Sequence, residues 1–194
     1  MFRQEILDVL RASLEVKQKL LDDEQLIASI DVLAGCCSES IKTGGKIIFC
    51  GNGGSFADAQ HLSAEFTSRF LFDRPAAPSV ALGTNSSSMS AIGNDYGYDQ
   101  VFARELSALG SAKDVFIPIS TSGSSPNIVA ACDVALRKKI PTYALMGEKL
   151  GKLPEGVNLL RIPSTDTARI QECHILVGHI LCQIVEQQLF GVPE

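Results

Sequence analysis

The sequence predicts an α/β fold in which a five-stranded parallel sheet is flanked by helices and preceded by a helical hairpin. Short apolar runs alternate with stretches of helical periodicity after residue 43, and this alternation is typical of parallel strands joined by right-handed crossovers. The chain has 194 residues, 45% of them hydrophobic, which suits one domain with a substantial core. We therefore expect a single domain over 1–194, with N-terminal helices at 1–43 and an α/β core at 44–194.

The first 43 residues predict two helices and no strand. Apolar residues recur at helical spacing on either side of the acidic triplet Asp22-Asp23-Glu24. A helical hairpin in front of an α/β core often packs against another subunit, so we expect residues 1–43 to serve oligomer packing. The apolar stripe of the first helix comprises Ile6, Val9, Leu10 and Leu14.

The core elements then alternate along the chain. Segments of helical periodicity flank the apolar runs. Residues 84–95 are polar and small, so neither a helix nor a strand is predicted there. The last helix is the longest and carries apolar residues over most of its surface. The predicted strands are 46–50, 79–82, 114–119, 142–146 and 158–162, and the predicted helices are 55–71, 98–108, 125–138 and 167–190.

Composition and charge exclude several classes of function. The formal net charge is −5, which argues against non-specific DNA or RNA binding because that needs a basic field. The first ten residues mix apolar and charged side chains, so they do not resemble a secretory signal, and no apolar stretch is long enough to span a membrane. The six cysteines form no C-x-x-C pair and predict buried free thiols in a reduced, cytoplasmic compartment. They are Cys36, Cys37, Cys50, Cys132, Cys173 and Cys182.

Two loops follow the first and third predicted strands, where ligands bind in parallel sheets. The glycine loop (residues 51–55) lets the backbone approach a ligand closely, and we expect Ser55 to cap the next helix, with Asp58 as its capping partner. The serine loop (residues 120–126) supplies five hydroxyls and ends with Ser125 at the expected N-cap and Pro126 at the first helical position. Because it has no lysine, it is not a Walker A loop, and it favours a phosphate monoester. The alternative is an ordinary Ser/Gly turn that caps a helix.

His61 and Glu65 stand four residues apart on the helix that follows the glycine loop, and therefore on one face. They could share a metal ion or act as acid and base. A lone pair of this kind more often marks a solvated helix face, so the interpretation depends on the helix starting directly from the glycine loop. Gln171 and His179 on the last helix are about 12 Å apart along its axis. They could share a metal only by reaching toward each other or in different copies of the chain. His174 points about 140° away from His179 and is expected in the core.

Five motifs at these positions together resemble the phosphoheptose isomerase family, which has the sugar-isomerase (SIS) fold. They occur in the same order as in that family and extend over nearly the whole chain. The motifs are Cys50-Gly51-Asn52-Gly53-Gly54-Ser55, Ala59-Gln60-His61-Leu62-Ser63-Ala64-Glu65-Phe66, Gly93-Asn94-Asp95-Tyr96-Gly97, Ser120-Thr121-Ser122-Gly123 and Arg169-Ile170-Gln171-Glu172-Cys173-His174.

The resemblance implies a flavodoxin-like three-layer SIS domain and conversion of sedoheptulose 7-phosphate to D-glycero-D-manno-heptose 7-phosphate. That reaction opens bacterial ADP/GDP-heptose synthesis for lipopolysaccharide or related glycans. It also implies a homotetramer with interfacial active sites and one Zn²⁺ per site. Its zinc ligands match His61, Glu65, Gln171 and His179, and its acid–base pair matches Glu65 and His179. The candidate substrate-binding residues are Asn52, Gly53, Gly54, Ser55, Glu65, Asn94, Asp95, Ser120, Thr121, Ser122, Ser125 and Gln171.

The sequence departs from the family pattern at one position, and other functions of the same fold have to be considered. Some family members have an aspartate directly before the arginine that matches Arg169, whereas this chain has Ala168 there and its nearest acid is Asp166. One rival is a non-enzymatic SIS protein that binds the replication initiator, but that protein lacks acid–base residues matching Glu65 and His179. A regulatory sugar-phosphate sensor would need a DNA-binding domain. An isomerase for another sugar phosphate is the remaining alternative.

Overall fold

Five parallel strands form one continuous sheet in the computed structural model, which describes residues 1–191. The last three residues of the predicted domain therefore lie outside the described residues. The strands are β1 (Ile47–Gly51), β2 (Ser79–Ala81), β3 (Val115–Ser120), β4 (Tyr143–Met146) and β5 (Asn158–Arg161). Their spatial order is β2-β1-β3-β4-β5, which is the flavodoxin-like order.

Within residues 1–191, seven α-helices and one 3₁₀ turn surround the sheet. The helices are α1 (Arg3–Leu21), α2 (Glu24–Lys42), α3 (Gly54–Thr67), α4 (Ser86–Tyr96), α5 (Val101–Leu109), α6 (Pro126–Arg137) and α7 (Thr167–Phe190), and the 3₁₀ turn is Tyr98–Gln100.

The core is divided by the sheet into two apolar layers. Along β1, Ile47 and Phe49 pack into the layer beneath α2, α3 and α7, whereas Ile48 and Cys50 pack into the layer beneath α5 and α6. This alternation follows from the period-2 geometry of a strand, and every residue of β1 is buried, as expected for a parallel sheet covered on both faces. The observed architecture confirms the predicted α/β class, its five parallel strands and its N-terminal hairpin.

Helix α4 is the element that the sequence pattern missed. The side chain of Asn85 caps it by accepting a hydrogen bond from the Ser88 N–H, a favoured arrangement at a helix N-terminus. None of its residues is buried within the chain. Its contact with the core is made by the half-buried Met89 and Ile92. Because helices are recognised in sequence by a broad apolar face, so narrow a face gives a weak signal.

Helix α3 ends at Thr67, four residues before the predicted end, because the next segment is fixed by a buried ion pair between Arg74 and Glu186. The Nε of Arg74 lies 2.8 Å from Glu186 Oε1, and the two side chains are 3% and 1% exposed. Arg74 also donates to the carbonyls of Glu65 and Phe66 in the last turn of α3. These are carbonyls that a helix end leaves without partners.

Glu186 is bound on both carboxylate oxygens. The backbone N–H groups of Phe70 and Leu71 donate to it at 2.9 and 2.8 Å. Burial by itself would raise the pKa of Glu186, but these two N–H groups and the Arg74 guanidinium outweigh it and lower the pKa below its usual value. The ionised form is therefore the native one, and it joins α7 to the segment after α3.

Helix α1 exposes the apolar stripe that the sequence predicted. Ile6, Val9, Leu10 and Leu14 are each more than half exposed, and only Val16 and Leu20 of the helix are buried. An apolar stripe of this kind on a protein surface is typical of an interaction site.

The six thiols are all free, as predicted; five are buried and Cys36 is half-buried. Burial raises the pKa of Cys132 and Cys182 to about 12, so both are protonated at neutral pH. Within residues 1–191, no helix combines the length and the hydropathy needed to cross a membrane.

We predict that Arg74→Ala lowers the free energy of unfolding by about 3–5 kcal/mol, because it leaves the Glu186 carboxylate buried without its cation. Urea denaturation at pH 7 measures this loss. The matched control is Arg11→Ala, which removes the exposed Arg11–Asp8 pair and should cost less than about 1 kcal/mol. Equal losses in the two variants would contradict the role given to the buried pair.

Candidate active site

The glycine loop and the serine loop lie side by side at the carboxyl ends of β1 and β3. These strands are neighbours in register, with Gly51 opposite Ile119. The chain winds outward from this point to β2 on one side and to β4 on the other, so the loops flank the switch point at which such sheets bind ligands. The cleft between them has a volume of about 320 Å³. It is lined by Asn52, Gly53, Gly54, Ser55, Ile119, Ser120, Thr121, Ser125, Thr167 and Gln171.

The glycine loop turns directly into α3. Gly53 is the N-cap residue, with φ +56°, a conformation that favours glycine. The prediction that Ser55 caps the helix is therefore wrong, because α3 begins one residue earlier and Ser55 is a buried residue of its first turn. No side chain caps this end, and the positive end of the helix dipole faces the cleft.

The hydroxyls of the serine loop differ in whether they are available to donate to a ligand. Ser125 is the N-cap of α6 and Pro126 its first residue, as predicted. The Ser120 hydroxyl accepts from Gly123 N–H at 3.1 Å, which leaves its own O–H free to donate to a ligand. Ser124 instead donates to the Ser122 carbonyl within the loop.

The amino-terminal part of α7 closes the cleft. A Cβ atom on Gly54 would lie 2.5 Å from Nε2 of Gln171, so the Gln171 amide rests directly against the glycine loop. Thr167, the first residue of α7, also lines the cleft. Sequence reasoning missed Thr167, although it stands one helical turn before Gln171.

A second cluster is built by α3 and α7 farther along the same helices. Nε2 of His61 lies 2.9 Å from Nε2 of His179 and 3.4 Å from Oε1 of Glu65. The ring of Phe70 stacks on His179 with centroids 5.4 Å apart. The structure therefore brings together three of the predicted catalytic and metal-ligating residues. The sequence could not decide whether they meet, because His61 and Glu65 lie on one helix and His179 on another.

Close contact of α3 with α7 at Gly178 makes this cluster possible. A Cβ atom on Gly178 would lie 2.5 Å from the side chain of Leu62, and Leu62 is fully buried. Leu62 and Gly178 directly adjoin His61 and His179 in sequence. Glycine inside a helix costs about 1 kcal/mol relative to alanine, and here it allows the two helices to approach until the imidazoles touch.

Asp58 belongs to this cluster, although the sequence reading used it only as a capping partner. Its Oδ2 is buried and has no hydrogen-bond partner within the described chain. Burial raises the pKa of Asp58, and the nearby His61 and His179 act in the opposite direction. Its positions three before His61 and seven before Glu65 place it on the same helix face, a signal that could have identified it.

The donor chemistry of the cluster fits Zn²⁺, for which imidazole nitrogen and carboxylate oxygen are ordinary ligands. Two tetrahedral nitrogen ligands on zinc lie about 3.3 Å apart, so the 2.9 Å between the imidazoles would have to widen by a few tenths of an ångström. Within residues 1–191, however, no three His, Cys, Asp or Glu side chains form a group that could hold a metal ion. Gln171 lies at the glycine loop instead. A single chain thus provides the two imidazoles of His61 and His179 as candidate ligands and the nearby carboxylate of Glu65.

Four predicted substrate-binding residues do not line the cleft of a single chain, and one of them, Glu65, belongs to the second cluster. Asn94 and Asp95 are exposed on α4 and line a separate shallow depression with serines of that helix. Ser122 is an exposed residue of the serine loop that does not line the cleft.

His174 is fully buried, as predicted, and lies apart from both groups of site residues. Its two ring nitrogens have no hydrogen-bond partner among the described residues, contrary to the expectation for a buried histidine. Burial is the main cause that lowers the pKa of His174, to about 4. It is therefore neutral at pH 7.

Comparison with known proteins identifies the family. A family model described as SIS domain matches residues 12–147. The phosphoheptose isomerase of Sulfurimonas denitrificans is 48% identical over 187 residues, covering 96% of both chains, and that of Aneurinibacillus thermoaerophilus is 47% identical over 182 residues, covering 93% of this chain and 92% of the relative.

The chain belongs to the phosphoheptose isomerase family of SIS-domain proteins. A solved phosphoheptose isomerase structure from Francisella tularensis superposes with a TM-score of 0.91 at 33% identity, covering 96% of this chain and 99% of the other. The structure from Neisseria gonorrhoeae gives 0.88 at 37% identity, covering 96% and 100%. The family predicted from the motifs is thus confirmed.

We predict that Gly178→Ala in this family member destabilises the fold by about 1–3 kcal/mol, because the added methyl group overpacks the Leu62 contact. The control is Gly35→Ala in the interior of α2, where an added Cβ meets no atom within 4 Å. It should stabilise the protein by about 0.5–1 kcal/mol. Thermal or urea unfolding of both variants distinguishes the two cases, and stabilisation by Gly178→Ala would disprove the close contact.

Proposed function

We propose that the protein is an aldose–ketose isomerase that converts sedoheptulose 7-phosphate to D-glycero-D-manno-heptose 7-phosphate, the first step of bacterial ADP/GDP-heptose synthesis. The observation that carries this proposal is the placement of both site halves on α3. The helix begins in the anion-binding cleft and presents His61 seven residues after Gly54, about 10 Å along its axis. That separation suits an open-chain sugar phosphate with the phosphate at one end and the carbonyl at the other.

The cleft would bind the phosphate. The hydroxyls of Ser120, Thr121 and Ser125 line it, and the N-termini of α3 and α6 supply free N–H groups and positive dipole ends. Binding energy from this remote group orients the reacting carbons, which lowers the entropic part of the barrier.

The second cluster would move the protons. In the ketose-to-aldose direction, the Glu65 carboxylate takes a proton from C1, which gives an enediolate, and returns that proton to C2. His179 serves the oxygens by taking the hydroxyl proton from O1 and delivering it to O2. Atoms and charge balance, because the two sugars are isomers. The ring of Phe70 and the imidazole of His61 fix the orientation of His179, as a general acid–base group requires.

We further propose that His61 and His179 hold a Zn²⁺ ion together with Glu65, and that Gln171 completes the set in the assembled enzyme. When bound, zinc would supply Lewis-acid polarisation of the sugar carbonyl. A carboxylate that ligates a metal is a weaker base, so Glu65 would not hold the metal and take the carbon proton in the same step.

The active enzyme is proposed to be a homotetramer with sites at its subunit interfaces. The exposed apolar stripe of α1 and the absence of any buried residue in α4 support association with further copies. Asn94 and Asp95 would then join a cleft from a neighbouring subunit. Cytoplasmic localisation remains a prediction.

The non-enzymatic alternative, a replication-initiator-binding protein on the same fold, is disfavoured by the cluster of Glu65 with the two contacting imidazoles. Pure binding proteins have no need of a carboxylate and imidazoles held together beside a phosphate cleft. An isomerase for another sugar phosphate would use the same cluster, so direct substrate tests separate that alternative.

We predict that purified protein converts sedoheptulose 7-phosphate to an aldose and that Glu65→Gln lowers kcat by about 100-fold or more, because the amide cannot accept the carbon proton. The isomers are separated by chromatography or NMR, and exchange of the C1 proton with deuterated water reports enediolate formation. Glu39→Gln, an exposed glutamate on α2, is the control and should keep full activity. Near-full activity of a folded Glu65→Gln enzyme would refute its role, and turnover of a different sugar phosphate alone would refute the substrate.

A chelator is predicted to abolish turnover, and added Zn²⁺ should restore it. Zinc content measured by atomic emission should approach one ion per chain and fall in His61→Gln and His179→Gln, because each removes an imidazole ligand. These measurements do not depend on activity. Chelator-insensitive turnover by zinc-free protein would exclude the metal from the reaction.

A further inference from the structure

Three side chains from different parts of the fold meet at the rim of the cleft. Asn52 of the glycine loop and Asn127 of α6 form a reciprocal amide pair, in which each Nδ2 donates to the other Oδ1 at 2.9 Å. The hydroxyl of Tyr98, in the 3₁₀ turn after α4, donates to the same Oδ1 of Asn52 at 3.1 Å. Asn52 lines the cleft, whereas Asn127 and Tyr98 do not.

This network already uses several of the hydrogen bonds that the Asn52 amide can form. Its oxygen has two lone pairs and its nitrogen two N–H groups. Asn127 and Tyr98 occupy both lone pairs, and Asn127 also takes the N–H that lies on the same side as the oxygen. One N–H of Asn52 is left for a ligand.

Burial of Asn127 makes the pair costly to break. Asn127 is 2% exposed. If its hydrogen bonds were broken, water could not replace them, and a buried amide without hydrogen bonds destabilises the fold. It follows the serine loop on α6, so its bonds to Asn52 tie one ligand loop to the other. Tyr98, by contrast, is 54% exposed, and its hydroxyl contributes a bond without supporting the core.

We infer that Asn127 and Tyr98 are positioning residues that hold the Asn52 amide in one orientation, with an N–H donor facing the cleft. A donor in this place selects an acceptor oxygen of the ligand, such as a phosphate or carbonyl oxygen. This inference rests on the proposed function in one respect, namely that Asn52 contacts the sugar phosphate.

The test uses the full-length enzyme and sedoheptulose 7-phosphate. Tyr98→Phe removes only the hydroxyl and should raise KM by about two- to tenfold, the effect of one lost hydrogen bond, with a smaller change in kcat and no loss of thermal stability. Tyr96→Phe is the control. Tyr96 has the same 54% exposure and a ring that lies over Arg104, and phenylalanine keeps that ring, so its KM should not change.

A double-variant cycle separates positioning from general structural effects. Asn52→Ala should raise KM, and adding Tyr98→Phe to it should give no further increase, because the hydroxyl acts only through Asn52. Asn127→Leu should raise KM in the native background and likewise lose its effect in the Asn52→Ala background. If Asn127→Leu does not fold, the Tyr98 cycle decides alone.

The outcomes distinguish this inference from the proposed function. An unchanged KM in Asn52→Ala would show that Asn52 does not contact the sugar phosphate and would overturn this inference, whereas the measured turnover would uphold the isomerase function. A raised KM in Asn52→Ala together with an unchanged KM in Tyr98→Phe, or additive effects in the double variant, would overturn the positioning role while the isomerase function stands. If the protein shows no turnover, dissociation constants for the sugar phosphate from titration calorimetry replace KM in the same cycle.

Discussion

The close contact between α3 and α7 at Leu62 and Gly178 is the interaction on which the site depends. Helices normally pack with axes 8–10 Å apart, according to the side chains at the contact, and glycine allows the closest approach. Here it brings the imidazoles of His61 and His179 within 2.9 Å. A larger residue at position 178 would separate the two imidazoles, whose proposed roles require contact, whatever the packing in the rest of the core.

Helix α3 also joins the two halves of the proposed active site. Its N-terminus faces the cleft and its later turns carry Asp58, His61 and Glu65, so a rigid rod of fixed rise per residue sets the distance between the two halves. Its carboxyl end is fixed as well, because Arg74 holds the carbonyl of Glu65 while paired with the buried Glu186. The carboxyl end of the helix is thus fixed by contacts outside it, which suits an element proposed to position reacting groups to fractions of an ångström.

A single copy of the chain leaves two surfaces exposed that further copies could cover. The α1 stripe leaves apolar surface in water, and α4 has no buried residue to stabilise it within one chain. Isolated short helices are marginal in water, and most helix stability in proteins comes from packing. An assembly that covered α1 and α4 would therefore stabilise both and could complete the metal and substrate ligands that one chain leaves apart.

Local patterns in the sequence sufficed for the fold class and for most elements. Period-2 and period-3.6 apolar patterns are local, so they identified the five strands and the hairpin, and the order of loops after β1 and β3 located the ligand edge. The motifs also indicated His61, Glu65 and the serine hydroxyls. Helix α4 was missed because its apolar face is narrow, with Met89 and Ile92 half-buried. The early end of α3 was missed because its cause is Glu186, more than 100 residues away in the chain.

Only the tertiary structure decided which chemical groups meet. The sequence could state that His179 and Gln171 share a helix, but the distance along that helix left their roles open. Packing placed His179 against His61 and Gln171 against Gly54, and it gave Asp58 a buried, unpartnered oxygen and Asn52 two partners from distant segments. Residue types and local spacing determine what a side chain can do, whereas contacts between distant segments depend on how closely whole helices and strands pack, which no local pattern records.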